Sequence, residues 1–484
     1  MSEFIYKSAI ELASLIRSGE ATSTKIVEAH LRQIDEHNAK LNAVVIPMTS
    51  EALEAAKRCD EEAARGHFRG PLHGVPMTVK EQYWVKGTRS TLNFKMLENW
   101  TAPEDAVVVD RLRNAGLVIL GKTNVPKNLT DYQVNGDLYP EGKNPYNLAH
   151  SPGGSSGGAS AALASGMVPL ELGGDFGGST RIPSNYCGLY GLKPTENTVP
   201  GHGNAPKPAG SQGFIFHMAQ AGPMARTPED LEQMWKIIRG PHRSDRTTPR
   251  IDWHDVGDKK LSDLRVAWVD GWPGYESGSQ IKQLIRDFVA QLTEHGCPAE
   301  NVAPSGDLHE RSLSVFVALF SRLISQDVPW FIKPLMKMGI RNGLLKGLDK
   351  FKTEFNAGFK NDFLHYSHTM GLRAGVIAEW EAYFDEYDLL VCPMSFGPAF
   401  ERCPIGTPIT HDGKQMIYVN YAWPYVACFN ASGHPAMNIP LGLGPNGLPV
   451  GVQVVGRYWS EPTLIHFAKL VSQFTAGFIK PQGF

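Results

Sequence analysis

The stretch SPGGSSGGASAALASGMVPLELGGDFGGSTRIPSNYCGLYGLKPT, Ser151 to Thr195, sets small hydroxyl residues on glycine platforms twice. The first platform is Gly153-Gly154-Ser155-Ser156-Gly157-Gly158 and the second is Gly177-Gly178-Ser179. Glycine lets the backbone take positive φ and approach a ligand closely, at an entropic cost on folding. Accepting that cost twice in one short stretch, each time beside a serine, suits a nucleophile and an anion hole. The pattern points to acyl-transfer chemistry.

A serine nucleophile needs a base for its proton and donors where the carbonyl oxygen becomes negative. In Gly173-Gly174-Asp175-Phe176-Gly177-Gly178-Ser179, consecutive N–H groups of a glycine turn can converge on one point, a nest suited to an oxyanion. Losing one such donor costs about 3–4 kcal/mol of barrier. Ser179 stands where its hydroxyl can address the same point. The first platform also satisfies a GxSxG elbow with Ser155 as nucleophile. That reading needs a strand just before it, and Leu148-Ala149-His150-Ser151-Pro152 is poor strand sequence. A phosphate cradle fails because no lysine follows the glycines.

Working outward, the base is sought upstream. None of the histidines sits in a recognisable hydrolase motif. Lys80 lies in VPMTVKEQYW, an apolar, strand-like segment, where alternation places it on one face with Thr78 and Gln82 and turns Glu81 away. A lysine buried without a carboxylate partner is driven towards its neutral, basic form. The competing reading is a lysine that snorkels from a strand end to water. His365 and His368 have no acidic motif beside them and read as surface histidines on a helix rather than metal ligands.

Helical and strand signals alternate along the chain. Ser8 to Glu11 is a capping box, and helices are expected near Ser23–Asn38, Ser50–Ala64, Asp105–Ala115 and after Thr227-Pro228. Short strands are expected at Met77–Lys80, Leu117–Leu120, Val168–Leu172, Arg265–Val269, around Leu389–Pro393 and at Leu448–Gly456. The alternation predicts an α/β fold with a mixed sheet. Residues 240–260 read as a polar surface excursion. Leu308 to Lys352 reads as an apolar then basic helical stretch. It is either a cover on the sheet or a mobile cap that shapes an acyl pocket or touches a membrane surface, with Trp330 and Phe331 as anchors.

At 484 residues the chain has room for one large or two ordinary domains. Lysine plus arginine (47) balance aspartate plus glutamate (49), which argues against a nucleic-acid partner. The six cysteines lie far apart without a CxxC pair, which fits reduced thiols rather than disulfides or zinc. No basic-then-apolar leader and no long apolar run is present. The expectation is a soluble, cytoplasmic protein, monomeric or homodimeric, without a bound metal or cofactor and without stable membrane insertion.

GPLHGVPMTVKEQ from Gly70, GKTNVPKNL from Gly121, the Ser151–Thr195 block and GLPVGVQVVGRYWSEPTLIHFA from Gly447 together resemble the amidase signature family, in its order and spacing. The resemblance implies a single large domain, a central twisted mixed sheet surrounded by helices, with a family-like core at about 65–240 and 385–475. Residues 241–385 would be a divergent helical cap or insertion. It implies a Ser–cis-Ser–Lys triad with Lys80 as base, Ser155 as bridging serine after a cis peptide, and Ser179 as nucleophile. The oxyanion hole falls on the N–H groups of Phe176, Gly177, Gly178 and Ser179, with Asp175 and Arg181 as a supporting pair and Ser156 as an auxiliary hydroxyl. Glu81, Lys127, Gly174, Phe176 and Thr180 depart from the family's common residues, but no triad member is lost.

The activity implied is hydrolysis of carbon–nitrogen bonds in small to medium aryl or alkyl amides, with carbamates and esters within reach of the same tetrahedral chemistry. The alternative is the amidase subunit of a glutamine-dependent tRNA amidotransferase, which predicts partner subunits. An inactive scaffold on the same fold is disfavoured by the intact triad. Tyr83, Trp84, Tyr132 and Tyr186 are expected at the pocket entrance.

Overall fold

Period-two alternation sorts the strand Leu389–Cys392 into two layers. Leu389 and Val391 join one hydrophobic cluster, while Leu390 and Cys392 join another. The computed structural model describes residues 3–206, 217–245, 247–326, 328–360 and 362–484. Residue 246 of the polar 240–260 stretch and residue 327 of the 308–352 stretch thus lie outside the described residues.

The strands so sorted form one eleven-stranded sheet. Its first half runs Val44–Pro47, Val118–Thr123, Pro76–Lys80, Leu170–Asp175, Gln220–Ala225 and Tyr190–Lys193. The order continues through Ala436–Leu443, Pro449–Gly456, Leu389–Cys392, Val266–Trp268 and Ala299–Asn301. Pro76–Lys80 is parallel to both its neighbours, whereas Leu170–Asp175 is antiparallel to Gln220–Ala225. The sheet is therefore mixed, as expected. Two of its strands, Val266–Trp268 and Ala299–Asn301, come from the stretch expected to be a helical insertion. That stretch is part of the sheet as well as a cover on it, because the parallel pairing of Val266–Trp268 with Leu389–Cys392 continues the ladder.

Helices close both faces. Ala9–Ser18, Val107–Asn114, Pro228–Ile238, Ser279–Glu294 and Glu461–Val471 contribute Leu12, Leu112, Trp235, Ile285 and Phe467 to one layer. The other face is covered by Ser23–Leu41, Thr49–Ala64 and Gly157–Ala164 at one end. At the other end lie Leu308–Ser325, Phe363–Glu386 and Trp423–Ala431. The start signals act as read: Ser8 and Glu11 complete a capping box, and Thr227 accepts from the Asp230 N–H ahead of Pro228. Among the described residues, no helix is long and apolar enough to cross a membrane.

Candidate active site

Lys80 ends a central strand that pairs on both sides through Thr78 and Val79, and its own Cα is paired with Thr123. Its side chain is fully buried rather than snorkelling. Lys80 Nζ lies 2.8 Å from Ser155 Oγ and donates to the Gly174 carbonyl at 2.9 Å. Burial pushes the amine down to about 7, against the pull of the Asp175 and Glu171 charges. Glu171, on the neighbouring strand, is also fully buried, and that burial raises it to about 8.

Ser155 follows a cis Gly154–Ser155 peptide, with helix Gly157–Ala164 opening just after it. Only glycine fits at 154, since a Cβ there would lie 2.2 Å from the Asp131 carbonyl oxygen. No strand leads directly into Ser155, which removes the basis of the GxSxG elbow. Ser179 is only partly buried and lines the same cavity as Lys80 and Ser155. The Ser156 N–H donates to the Ser179 carbonyl at 3.1 Å, tying the two platforms together. Ser156 Oγ lies 3.4 Å from both N and O of Gly174.

The loop that presents Ser179 is braced from beneath. Arg181 donates Nε and Nη2 to the two Asp175 oxygens, each at 3.0 Å, and both side chains are fully buried. Arg181 also reaches Gln453 Oε1 at 2.5 Å and Asn430 Oδ1 at 2.6 Å. Burial alone would raise the Asp175 carboxyl, but the Arg181 charge and hydrogen bonds hold it well below the usual carboxylate range. Asp175 Oδ1 accepts the Gly178 N–H at 2.9 Å, and Oδ2 accepts the Thr180 N–H at 3.1 Å. This corrects one expectation. The Gly178 N–H, assigned to the oxyanion hole, is engaged by the brace, since it donates to Asp175 Oδ1. Among the described residues, no acceptor within the chain engages the N–H groups of Phe176, Gly177 and Ser179.

These groups open into a cavity of about 300 Å³. Phe316 and Phe320 of Leu308–Ser325 stack at 5.7 Å, and both meet Trp423 edge-on, at 5.1 and 4.9 Å. Phe176 tilts against the pair at 6.2 and 5.8 Å. Leu323 and Ile324 extend this apolar wall. The helical stretch thus shapes the pocket, while Trp330 and Phe331, its expected anchors, are 83% and 65% exposed. His365 and His368 are exposed on Phe363–Glu386.

Of the four aromatics expected at the entrance, Tyr132 lines the cavity, its hydroxyl donating to Val419 O and accepting from the Trp423 N–H. Tyr83, Trp84 and Tyr186 do not line it. Tyr83 donates to Gly173 O at 2.7 Å from within the core, and Trp84 packs on Trp100 and His202. Tyr186 is buried edge-on to Phe400. Trp423, which no sequence motif marks, stands in the wall instead.

Fold and site together define a family. The Amidase family model matches residues 25–465, and the chain belongs to the amidase signature family. It is 30% identical over 492 residues to a glutamyl-tRNA(Gln) amidotransferase subunit of Exiguobacterium sibiricum, covering 97% of this chain and 98% of that one. A bacterial aryl acylamidase of the amidase signature enzymes superposes with a TM-score of 0.82 at 25% identity, covering all of both chains. A protein solved in work on the evolutionary origins of an s-triazine catabolic enzyme gives 0.83 at 25% identity, over 98% of this chain and all of that one. The protein is an amidase-family carbon–nitrogen hydrolase.

Proposed function

We propose that this protein hydrolyses uncharged aryl or alkyl amides through an acyl-enzyme on Ser179. Ser179 Oγ attacks the carbonyl carbon, its proton passes to Ser155 Oγ, and the Ser155 proton passes to neutral Lys80. The N–H groups of Phe176, Gly177 and Ser179 receive the oxyanion. The relay then returns a proton to the leaving nitrogen, and water repeats the path to release the acid. Carbamates and esters fit the same sequence of bonds made and broken.

The observation that carries the substrate class is the wall of Phe176, Phe316, Phe320 and Trp423 beside the relay. Aromatic surroundings favour apolar and aryl groups. A second reading, the amidase subunit of a glutamine-dependent tRNA amidotransferase, is favoured by the 30% identity to such a subunit along nearly the whole chain. The lining argues against it. Among the described residues, no arginine or histidine lines the cavity and its one lysine, Lys80, is the neutral base of the relay, so the α-carboxylate of free glutamine would lack a partner.

A panel of acyl p-nitroanilides, primary amides, aryl carbamates and glutamine, run on wild type and Ser179→Ala, tests the reading. The expected result is turnover of aryl amides, abolished in Ser179→Ala, with little on glutamine. Full activity in Ser179→Ala would remove the nucleophile from the proposal. Glutamine as the best substrate would favour the second reading.

A further inference from the structure

Glu171 takes no part in the Ser179–Ser155–Lys80 relay, yet it is fully buried one strand from its base. Its Cα partner across the parallel ladder is Thr78, and Lys80 pairs on the far side with Thr123. Glu171 Oε2 accepts from the Thr78 hydroxyl, and Oε1 lies 3.1 Å from Thr123 Oγ1. The carboxyl therefore engages one hydroxyl on the Lys80 strand itself, that of Thr78, and reaches past that strand to a second on its far neighbour, that of Thr123. Among the described residues, no arginine, lysine or histidine forms an ion pair with it.

The geometry accommodates a carboxylic acid. Thr78 donates to one oxygen. The other oxygen can carry a proton to Thr123 Oγ1, whose own hydrogen points to the Val79 carbonyl at 3.4 Å. All polar atoms are then satisfied without an uncompensated buried charge.

The ionisable groups whose fields meet here are few. On its own strand is Asp175, already neutralised by Arg181; on the Lys80 segment are Lys80 and the Tyr83 phenol. Helix Gly157–Ala164, which packs over these strands, carries no titratable side chain. His30 of Ser23–Leu41 faces the Met167 carbonyl, and Cys59 of Thr49–Ala64 faces the Gly116 carbonyl. Lys122 of the Thr123 strand turns to Ser90.

We propose that Glu171 is a positioning residue of the catalytic relay: it holds the hydroxyls of Thr78, two residues before Lys80 on its strand, and of Thr123, the Lys80 partner across the ladder, so that its carboxyl acts on the Lys80 amine through its charge. This rests on Lys80 being the base proposed above. Midway through titration the pair holds either a neutral amine with a carboxylic acid or an ammonium with a carboxylate. The total proton count is the same in both. Only the first form accepts a proton from Ser155. Glu171 thereby sets the acid side of the working pH range, as coupled sites do.

The test uses a fluorophosphonate, which Ser179 Oγ attacks at phosphorus with loss of fluoride, so that no turnover is needed. Labelling rate is followed from pH 5 to 9 in wild type, Glu171→Gln and Thr78→Val. In wild type the rate should fall as Lys80 gains its proton below about 7. Glutamine cannot become an anion that holds the ammonium, so the midpoint should drop by about half a pH unit, or about threefold faster labelling on the acid side. Thr78→Val removes a donor from the carboxylate and should move the midpoint the same way. It also decides the matter alone if Glu171→Gln fails to fold. A midpoint that stays put or rises, in variants melting like wild type, overturns the role of Glu171. A wild type that is not labelled at all, or labels independently of pH, instead overturns the serine–lysine reading on which it rests.

Discussion

Asp175 shows how much one carboxylate organises. It accepts backbone N–H groups from Gly178 and Thr180, two guanidinium bonds from Arg181 and one from Asn430, all without contact with water. Each bond fixes a different part of the turn that carries Ser179, so the nucleophile is oriented by a residue it does not touch. Removing one partner of a buried pair leaves the other charge uncompensated, at a cost of about 3–5 kcal/mol. Asp175→Asn is therefore expected to lower the melting temperature by several degrees, and at temperatures where it still folds, kcat should fall more than KM rises. Thermal melting and steady-state kinetics at one low temperature check both parts. An Asp175→Asn protein with wild-type melting would mean that the brace contributes nothing to folding.

At the scale of elements, the helix Leu308–Ser325 divides its faces between core and cavity. Leu313 and Leu319 are buried in the surrounding cluster, and Phe316 and Phe320 reach the pocket. Burying a phenylalanine is worth about 1.5–3 kcal/mol. Phe320→Ala should thus lower kcat/KM for an anilide by about 10- to 100-fold, while a small primary amide loses far less. Equal losses on both substrates would place Phe320 outside the acyl or aryl subsite.

The same helix marks where sequence reading succeeds and stops. Lys80, Ser155 and Ser179 are legible because each sits in a contiguous glycine- or strand-bearing block, and Asp175 and Arg181 because they flank the nucleophile. Phe316 and Phe320 are legible as an apolar face, though not as a wall. Trp423 and Glu171 are hidden for another reason. Trp423 meets Tyr132 across 291 positions of chain. The Glu171 contact exists only because the sheet places Pro76–Lys80 between Val118–Thr123 and Leu170–Asp175, an order that the chain does not follow. Tyr83 and Trp84 follow Lys80 closely in the chain, yet they turn into the core, Tyr83 onto the Gly173 carbonyl and Trp84 onto Trp100.

For the whole molecule, a ligand that binds only the folded state raises its stability by about 2.7 kcal/mol at 100 times its Kd. In Ser179→Ala, which cannot turn over, an anilide at such excess should raise the melting temperature by about 2–4 °C, and glutamine at equal concentration should not. Scanning fluorimetry with both ligands checks this. A shift with glutamine alone would reassign the pocket. The outcome reads occupancy across the sheet, since the cavity is walled by residues from Lys80 to Trp423.

That span has a further consequence. Every proposed relay atom lies between residues 80 and 179, and the aromatic wall beyond Phe176 comes from residues 316, 320 and 423. Most of the aromatic wall is thus written apart from the relay and meets it only after folding, although Tyr132 and Phe176 share the relay's own passage. A lineage can revise the distant part of the wall, trading one guest for another, while the relay is inherited unaltered. An engineer can do the same by recombining the 308–325 and 423–431 segments between relatives and leaving the bond-breaking half untouched.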